Sequence, residues 1–230
     1  MATILAIDSS CDICSVALQG ANGVFVRESK APRQHAAEIL TMVDELLLES
    51  GYSMTDINAV AVITGPGSFT GLRIGIAVAQ GLAFPGSIPV IPFSSLAAMA
   101  MLVKQQYGSQ QILTAFQSRE NEFYFAAWQI TDDWPCCIAA EQIVNKNGLL
   151  MQLGSLSGSW FAAGNAWSDE VLDSAQLHLA GSDRLIKSSA ASILPASISR
   201  LAAADVIQAE ELLPVYLQEQ LVYSAQQGLS

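Results

Sequence analysis

The stretch Gly65-Pro66-Gly67-Ser68-Phe69-Thr70-Gly71-Leu72-Arg73-Ile74-Gly75 constrains this chain more than any other. It follows an apolar run, residues 59–63, that reads as a buried strand, and it opens a helix-length segment, residues 70–84. Strand, tight glycine loop and helix in that order aim backbone N–H groups and the positive end of a helix dipole at one point. Two meanings are open: an anion or nucleotide site, or a tight turn leading into a closely packed helix. Known phosphate motifs fit poorly. A Walker A loop needs Lys where Leu72 stands, and the dinucleotide fingerprint needs its third Gly where Thr70 stands.

Between Leu72 and Phe84 only Arg73 and Gln80 are polar, so this helix is expected to be buried on more than one side. Gly71, Gly75 and Ala79 recur at i, i+4 and i+8 as one smooth stripe. A helix-interior Gly costs about 1 kcal/mol against Ala, so Gly75 and Gly81 call for a packing reason. The stripe would let another backbone come close. Arg73 lies in the first turn, where a cation opposes the dipole, and is expected to meet an anion or a partner's carboxylate.

Around this centre the periodicities place strands at residues 3–7, 14–18 and 24–28, with Asn22-Gly23 as a hairpin turn. A helix at residues 34–49 carries Ala36, Ile39, Leu40, Met42, Val43, Leu46 and Leu47 over an arc of about 160°, wider than one sheet contact needs. A fifth strand, residues 89–93, leads to Ser94, a candidate cap for a helix to about Tyr107. Strands then recur at 112–116, 122–130 and 136–141, a helix near 147–153, a strand at 160–163, and helices near 168–175 and 190–204. The expected fold is α/β: two tandem βββαβα halves, residues 1–108 and 109–230, each a mixed five-stranded sheet with flanking helices.

Hydrophobic residues make up 51% of the 230, enough for a substantial core. No run approaches the ~20 apolar residues of a membrane span. The N-terminus lacks a basic region and Asp8 interrupts its first apolar stretch, so a cytoplasmic location without a signal peptide is the expectation. Cys11 and Cys14 form a C-x-x-C between two strands rather than at a helix N-terminus, and Cys136-Cys137 lacks zinc spacing, so reduced structural thiols are expected.

Two βββαβα halves describe the actin/Hsp70/sugar-kinase (ASKHA) fold, built on RNase H-like units, and Ile7-Asp8-Ser9-Ser10 resembles its first phosphate loop. GPGSFTGLRIG with the following Ala77-Val78-Ala79-Gln80-Gly81-Leu82-Ala83 resembles the bacterial TsaB (YeaZ) family. The likeness continues in Gln34-His35, Ser94-Ser95-Leu96, Arg119 with Glu122 and Tyr124, Gly164-Asn165 and Pro214-Val215-Tyr216-Leu217, nearly the whole chain. Gln117 departs from it, since the family usually carries Asp there. The resemblance implies a non-catalytic scaffold that pairs with the transferase subunit TsaD and, through that pair, engages the ATPase TsaE. The complex transfers a threonylcarbamoyl group to N6 of adenosine 37 in ANN-decoding tRNAs. ATP and metal are used by the partner subunits, and this chain is expected to hold no cofactor of its own.

The resemblance also implies a helix-bundle interface shared by TsaD binding and self-association as a homodimer. The residues assigned to it are His35, Ile39, Met42, Val43, Leu46, Gly71, Leu72, Arg73, Gly75 and Ala79. Asp8, Ser9 and Ser10 are assigned to a vestigial phosphate loop, and no metal or catalytic residue is assigned. A stand-alone ATPase is opposed by the glycine-free turn Gln117-Ser118-Arg119-Glu120-Asn121, where long side chains block close approach to phosphate. A glycoprotease is opposed by the lack of any second His at helical spacing from His35 or His178.

Net charge is −11, and the ten Lys and Arg are dispersed. Affinity for nucleic acid rests on cations facing phosphates. The chain alone is therefore expected to leave tRNA unshifted in a gel at micromolar concentration and physiological salt. A shift that weakens steeply with salt would contradict this.

Overall fold

Ile4–Asp8 (β1) and Ala59–Gly65 (β4) are buried at every residue. Continuous apolar strands of this kind belong in the middle of a sheet covered on both faces. In the computed structural model, which describes residues 2–30, 35–131, 134–175 and 177–217, they lie side by side and parallel, Ile4 opposite Ala59 and Ile7 opposite Val62. Cys14–Gly20 (β2) pairs antiparallel with β1, and Gly23–Ser29 (β3) antiparallel with β2. Val90–Ser94 (β5) adds in parallel to β4, giving the order β3-β2-β1-β4-β5.

His35–Ser50 (α1) and Phe69–Ala83 (α2) cover one face of this sheet. Ile39, Met42, Val43 and Leu46 of α1 and Ile76, Ala79 and Ala83 of α2 close one apolar cluster with Leu5, Ile7, Val16, Leu18, Val60 and Val62. Ser68 caps α2, its Oγ accepting the Gly71 N–H, and Ser94 Oγ accepts the N–H groups of Leu96 and Ala97 at the start of Ser95–Tyr107 (α3).

The second sheet repeats the plan. Gln111–Arg119 (β6), Glu122–Thr131 (β7) and Trp134–Asn145 (β8) run antiparallel, followed by Lys146–Gly154 (α4), Ser159–Ala163 (β9), Asp169–Ser174 (α5) and His178–Asp183 (β10). The order β10-β9-β6-β7-β8, read from its far end, is that of the first sheet. Phe125, Leu149, Trp160 and Trp167 lead its core. β10 completes the five strands and was not among the strands read from sequence.

The chain divides into two compact units, but not by one cut at residue 108. Of the described residues, the first takes the chain to Ala98 together with Ser188–Pro214, and the second takes Met99–Lys187 and residues 215–217. The 3-10 helix Ala190–Ile193 and Leu194–Ala202 (α6), read from sequence as the close of the second half, belong to the first unit. The reason is specific contact. The Ala190 N–H donates to Ser15 Oγ at 2.9 Å, and the Arg200 guanidinium lies 5.1 Å over Phe93 and donates to the Pro92 carbonyl. Among the described residues no helix is long and apolar enough to cross a membrane.

Leu72 is fully buried and Leu48 is 86% exposed. Urea denaturation should find Leu72→Ala less stable by about 2–5 kcal/mol and Leu48→Ala changed by no more than about 0.5 kcal/mol. Equal effects would mean that α2 is not seated as described.

Candidate functional site

The turn after β1, Asp8-Ser9-Ser10, meets the glycine loop after β4, and both are buried in the first unit. Asp8, Ser9 and Ser10 are 0%, 1% and 4% exposed. The Ser9 hydroxyl donates to the Gly71 carbonyl at 2.8 Å, and the Ser68 N–H donates to the Ser10 carbonyl at 2.7 Å. The Ser10 N–H and hydroxyl both donate to Asp8 Oδ1, at 2.8 and 2.7 Å. With its proton committed to Asp8, Ser10 Oγ accepts from the Ser188 hydroxyl, 2.9 Å away.

Three glycines make this meeting possible. A Cβ on Gly67 would stand 2.4 Å from the Ser10 carbonyl oxygen. One on Gly71 would stand 2.0 Å from the Ser9 carbonyl oxygen, and one on Gly75 2.3 Å from Ser9 Oγ. The backbone that the smooth stripe admits is therefore the chain's own. Of the two meanings of the glycine motif, the close-packed helix accounts for Gly67, Gly71 and Gly75, and Ser9 and Ser10 fill the space in front of them.

The expected interface is corrected accordingly. Ile39, Met42, Val43, Leu46, Leu72 and Ala79 are at most 6% exposed and Gly71 and Gly75 are buried, so these eight build the core of the first unit rather than an open surface. Arg73 alone of the assigned set faces outward among the described side chains, and the His35 side chain lies outside them. The cause is a choice of face. α2 is apolar nearly all round, and its small-residue stripe turns in toward Ser9.

The opposite face of α2 forms an apolar groove of about 720 Å³ with Leu40 of α1. Phe69, Thr70, Arg73, Ile74, Ala77, Val78, Gly81 and Leu82 line the rest of it. The Arg73 guanidinium stacks 3.8 Å from the Phe69 ring centroid, which is 54% exposed. Among the described residues a Cβ on Gly81 would meet nothing within 4 Å, so no packing there accounts for this helix-interior glycine. Residues 73, 77 and 81 share the i, i+4, i+8 spacing of the buried stripe, so one sequence period describes both faces.

In the second unit, Asn165 Oδ1 accepts the Gln117 N–H at 2.8 Å, and Phe116 and Tyr124 lie 5.1 Å apart. Gly164, at φ +103, could carry no Cβ without meeting the Ala115 carbonyl oxygen at 2.2 Å. Arg119 and Glu122 pair across the β6–β7 turn. So Gln117, Arg119, Glu122, Tyr124 and Asn165 gather at one end of the second sheet. Among the described residues no group of three or more His, Cys, Asp and Glu is placed to hold a metal ion.

Two mixed sheets of one strand order, the first carrying its glycine loop against the β1 turn, define an ASKHA-like chain. The sequence model described as TsaD, tRNA N6-adenosine threonylcarbamoyltransferase, matches residues 22–181. The tRNA threonylcarbamoyladenosine biosynthesis protein TsaB of Escherichia coli K12 is 35% identical over 228 residues, 98% of each chain. Two solved structures from Pseudomonas aeruginosa are similar over 94% of this chain and all of theirs. One, titled YeaZ, has 30% identity and a TM-score of 0.83; the other, described as similar to peptidase YEAZ, has 31% and 0.86. The chain belongs to the TsaB (YeaZ) family.

Burial raises the Asp8 carboxyl above the ordinary carboxylate range, against the opposing hydrogen bonds from the Ser10 hydroxyl and N–H, and Asp8 Oδ2 is buried without a partner among the described residues. The same burial, with the Asp8 charge second, pushes the Cys14 thiol up to about 12. A carboxyl raised in the folded state contributes stability that is complete below its unfolded pKa of about 3.9 and is lost as pH rises through its folded value. Asp8→Asn keeps the acceptor for Ser10 and removes the charge. Its melting temperature should therefore gain on the parent's progressively as pH rises above about 4. A gap that is flat with pH, or that moves toward the parent as pH rises, would contradict this.

Proposed function

We propose that this chain is the non-catalytic accessory subunit of a tRNA threonylcarbamoyladenosine synthesis complex, and that it docks a TsaD-type transferase through the outward face of α1 and α2. The observation that carries the proposal is the apolar groove over Ala77 and Gly81, since no packing among the described residues accounts for its open glycine. Exposed apolar surface of this kind marks protein contacts. The relatives' names supply the pathway. The match to the TsaD sequence model over residues 22–181 supports a partner with its own version of the same two helices.

In this proposal the chain contributes shape rather than chemistry. The transferase holds the metal and the substrate, the ATPase TsaE acts on the assembled pair, and tRNA meets the complex rather than this chain alone. Without the transferase, two copies meet through the same face as a homodimer. A stand-alone ATPase is disfavoured because the glycine loop is packed against the carbonyls of Ser9 and Ser10 rather than left open to a ligand.

Neighbouring substitutions separate surface from core. Ala77 is exposed and Ala79 is fully buried. Ala77→Trp should keep the parent's melting temperature, weaken transferase binding at least about tenfold and lower threonylcarbamoyladenosine formation by the reconstituted complex. Ala79→Trp should instead lower the melting temperature, through overpacking. A stably folded Ala77→Trp protein that binds and supports modification normally would overturn the proposal.

A further inference from the structure

Gln80 is one of two polar residues between Leu72 and Phe84, and the proposed docking face does not use it. Its amide reaches the other way. Gln80 Nε2 donates to the carbonyls of Ala209 and Leu212, at 3.1 and 3.2 Å. These residues belong to a strap that follows α6 and returns across the first unit. Ile207 makes an antiparallel bridge to Val90, N–H to carbonyl in both directions at 2.9 Å, and so covers the outer edge of β5. A 3-10 turn, Ala209–Glu211, follows, its Gln208 N–H held by the Glu211 carboxylate at 2.8 Å. Ala209 and Leu212 are 4% and 1% exposed and close the cluster that also holds Ile76, Ala79 and Ala83 of α2.

One side chain thus ties α2 to a segment more than a hundred residues later, from a position directly beside Gly81 and three residues after Ala77. The Ala209 carbonyl also accepts the Leu212 N–H, at 3.3 Å, so the loss of Gln80 falls on the Leu212 carbonyl. Removing that donor from a buried residue costs more than the mean value of a hydrogen bond. A helix cannot shift past such a clamp without breaking it, so the seated strap adds to the Ser9–Gly71 contact in holding the azimuth of α2, and hence what Ala77 and Gly81 present to solvent.

We infer that Gln80 is a positioning residue, through which the strap of residues 207–212 sets the docking face of α2 and senses its occupation. The inference rests on the docking role proposed above and deepens it. The partner touches the outer face and the strap lies off that face, yet the two are coupled. Coupling between two sites is reciprocal: whatever the seated strap adds to partner affinity, the bound partner adds to strap stability.

The test uses the full chain and the purified TsaD-type transferase. Backbone amide hydrogen exchange of Ile207, Glu211 and Leu212, each hydrogen-bonded within the strap region, is measured with and without the transferase. The inference expects exchange at these three amides to slow on binding. It also expects Gln80→Leu to bind about tenfold more weakly at a temperature well below its melting point, within the usual range of coupling between sites, and to lose the slowing. A merely structural Gln80 predicts a lower melting temperature with unchanged affinity. Should Gln80→Leu fail to fold, exchange in the parent chain decides alone. Unchanged exchange at the strap on transferase binding overturns the inference. If Ala77→Trp also binds normally, the docking face itself is wrong and both proposals fall; if Ala77→Trp loses binding while the strap amides stay unmoved, only the coupling fails.

Discussion

The contact on which the rest of the first unit depends is between two backbones. Ser9 and Ser10, at the end of β1, lie directly against Gly67, Gly71 and Gly75 at the start of α2, at separations that no Cβ would survive. This approach fixes α2 to the end of the sheet and lets Ser9 bond the Gly71 carbonyl and Ser10 accept from Ser68. It also buries Asp8, whose raised carboxyl is a consequence of the packing and not evidence of catalysis. The interior glycines cost helix stability, and the apolar cluster under Ile76, Ala79 and Ala83 offsets that cost.

Because the inner face of α2 is committed in this way, a partner docking on this helix as proposed would meet its outer face. The two stripes differ in what explains them. Gly71 and Gly75 have neighbours that require a glycine, whereas Gly81 has none among the described residues. An apolar groove, a stacked Phe69–Arg73 pair at one end and an unexplained glycine at the other distinguish the outer stripe from an ordinary solvated helix face.

Much of this was legible in the sequence. β1 and β4 announced themselves as unbroken apolar runs, Ser94 as a helix cap, and the glycine motif as a strand–loop–helix junction. The choice of face on α2 was not legible, because a helix apolar nearly all round carries little directional signal and both of its small-residue stripes obey one period. What decides is a contact between Ser9 and Gly71, sixty-two positions apart. The return of residues 188–214 to the first unit was illegible for the same reason: the Ser10–Ser188 and Ser15–Ala190 contacts join small residues that no local pattern singles out. β10 was missed because Gly181 breaks its apolar alternation and no residue of it is fully buried.

The central claim is that α2 turns its glycine stripe inward and its Ala77–Gly81 stripe toward a transferase. The most direct measurement is site-specific photo-crosslinking, with a short photoreactive residue placed at position 77 or, in the second unit, at exposed Met151. With the TsaD-type transferase present, the account predicts capture from position 77 and little from position 151. Equal capture from both, or capture from position 151 alone, would contradict it.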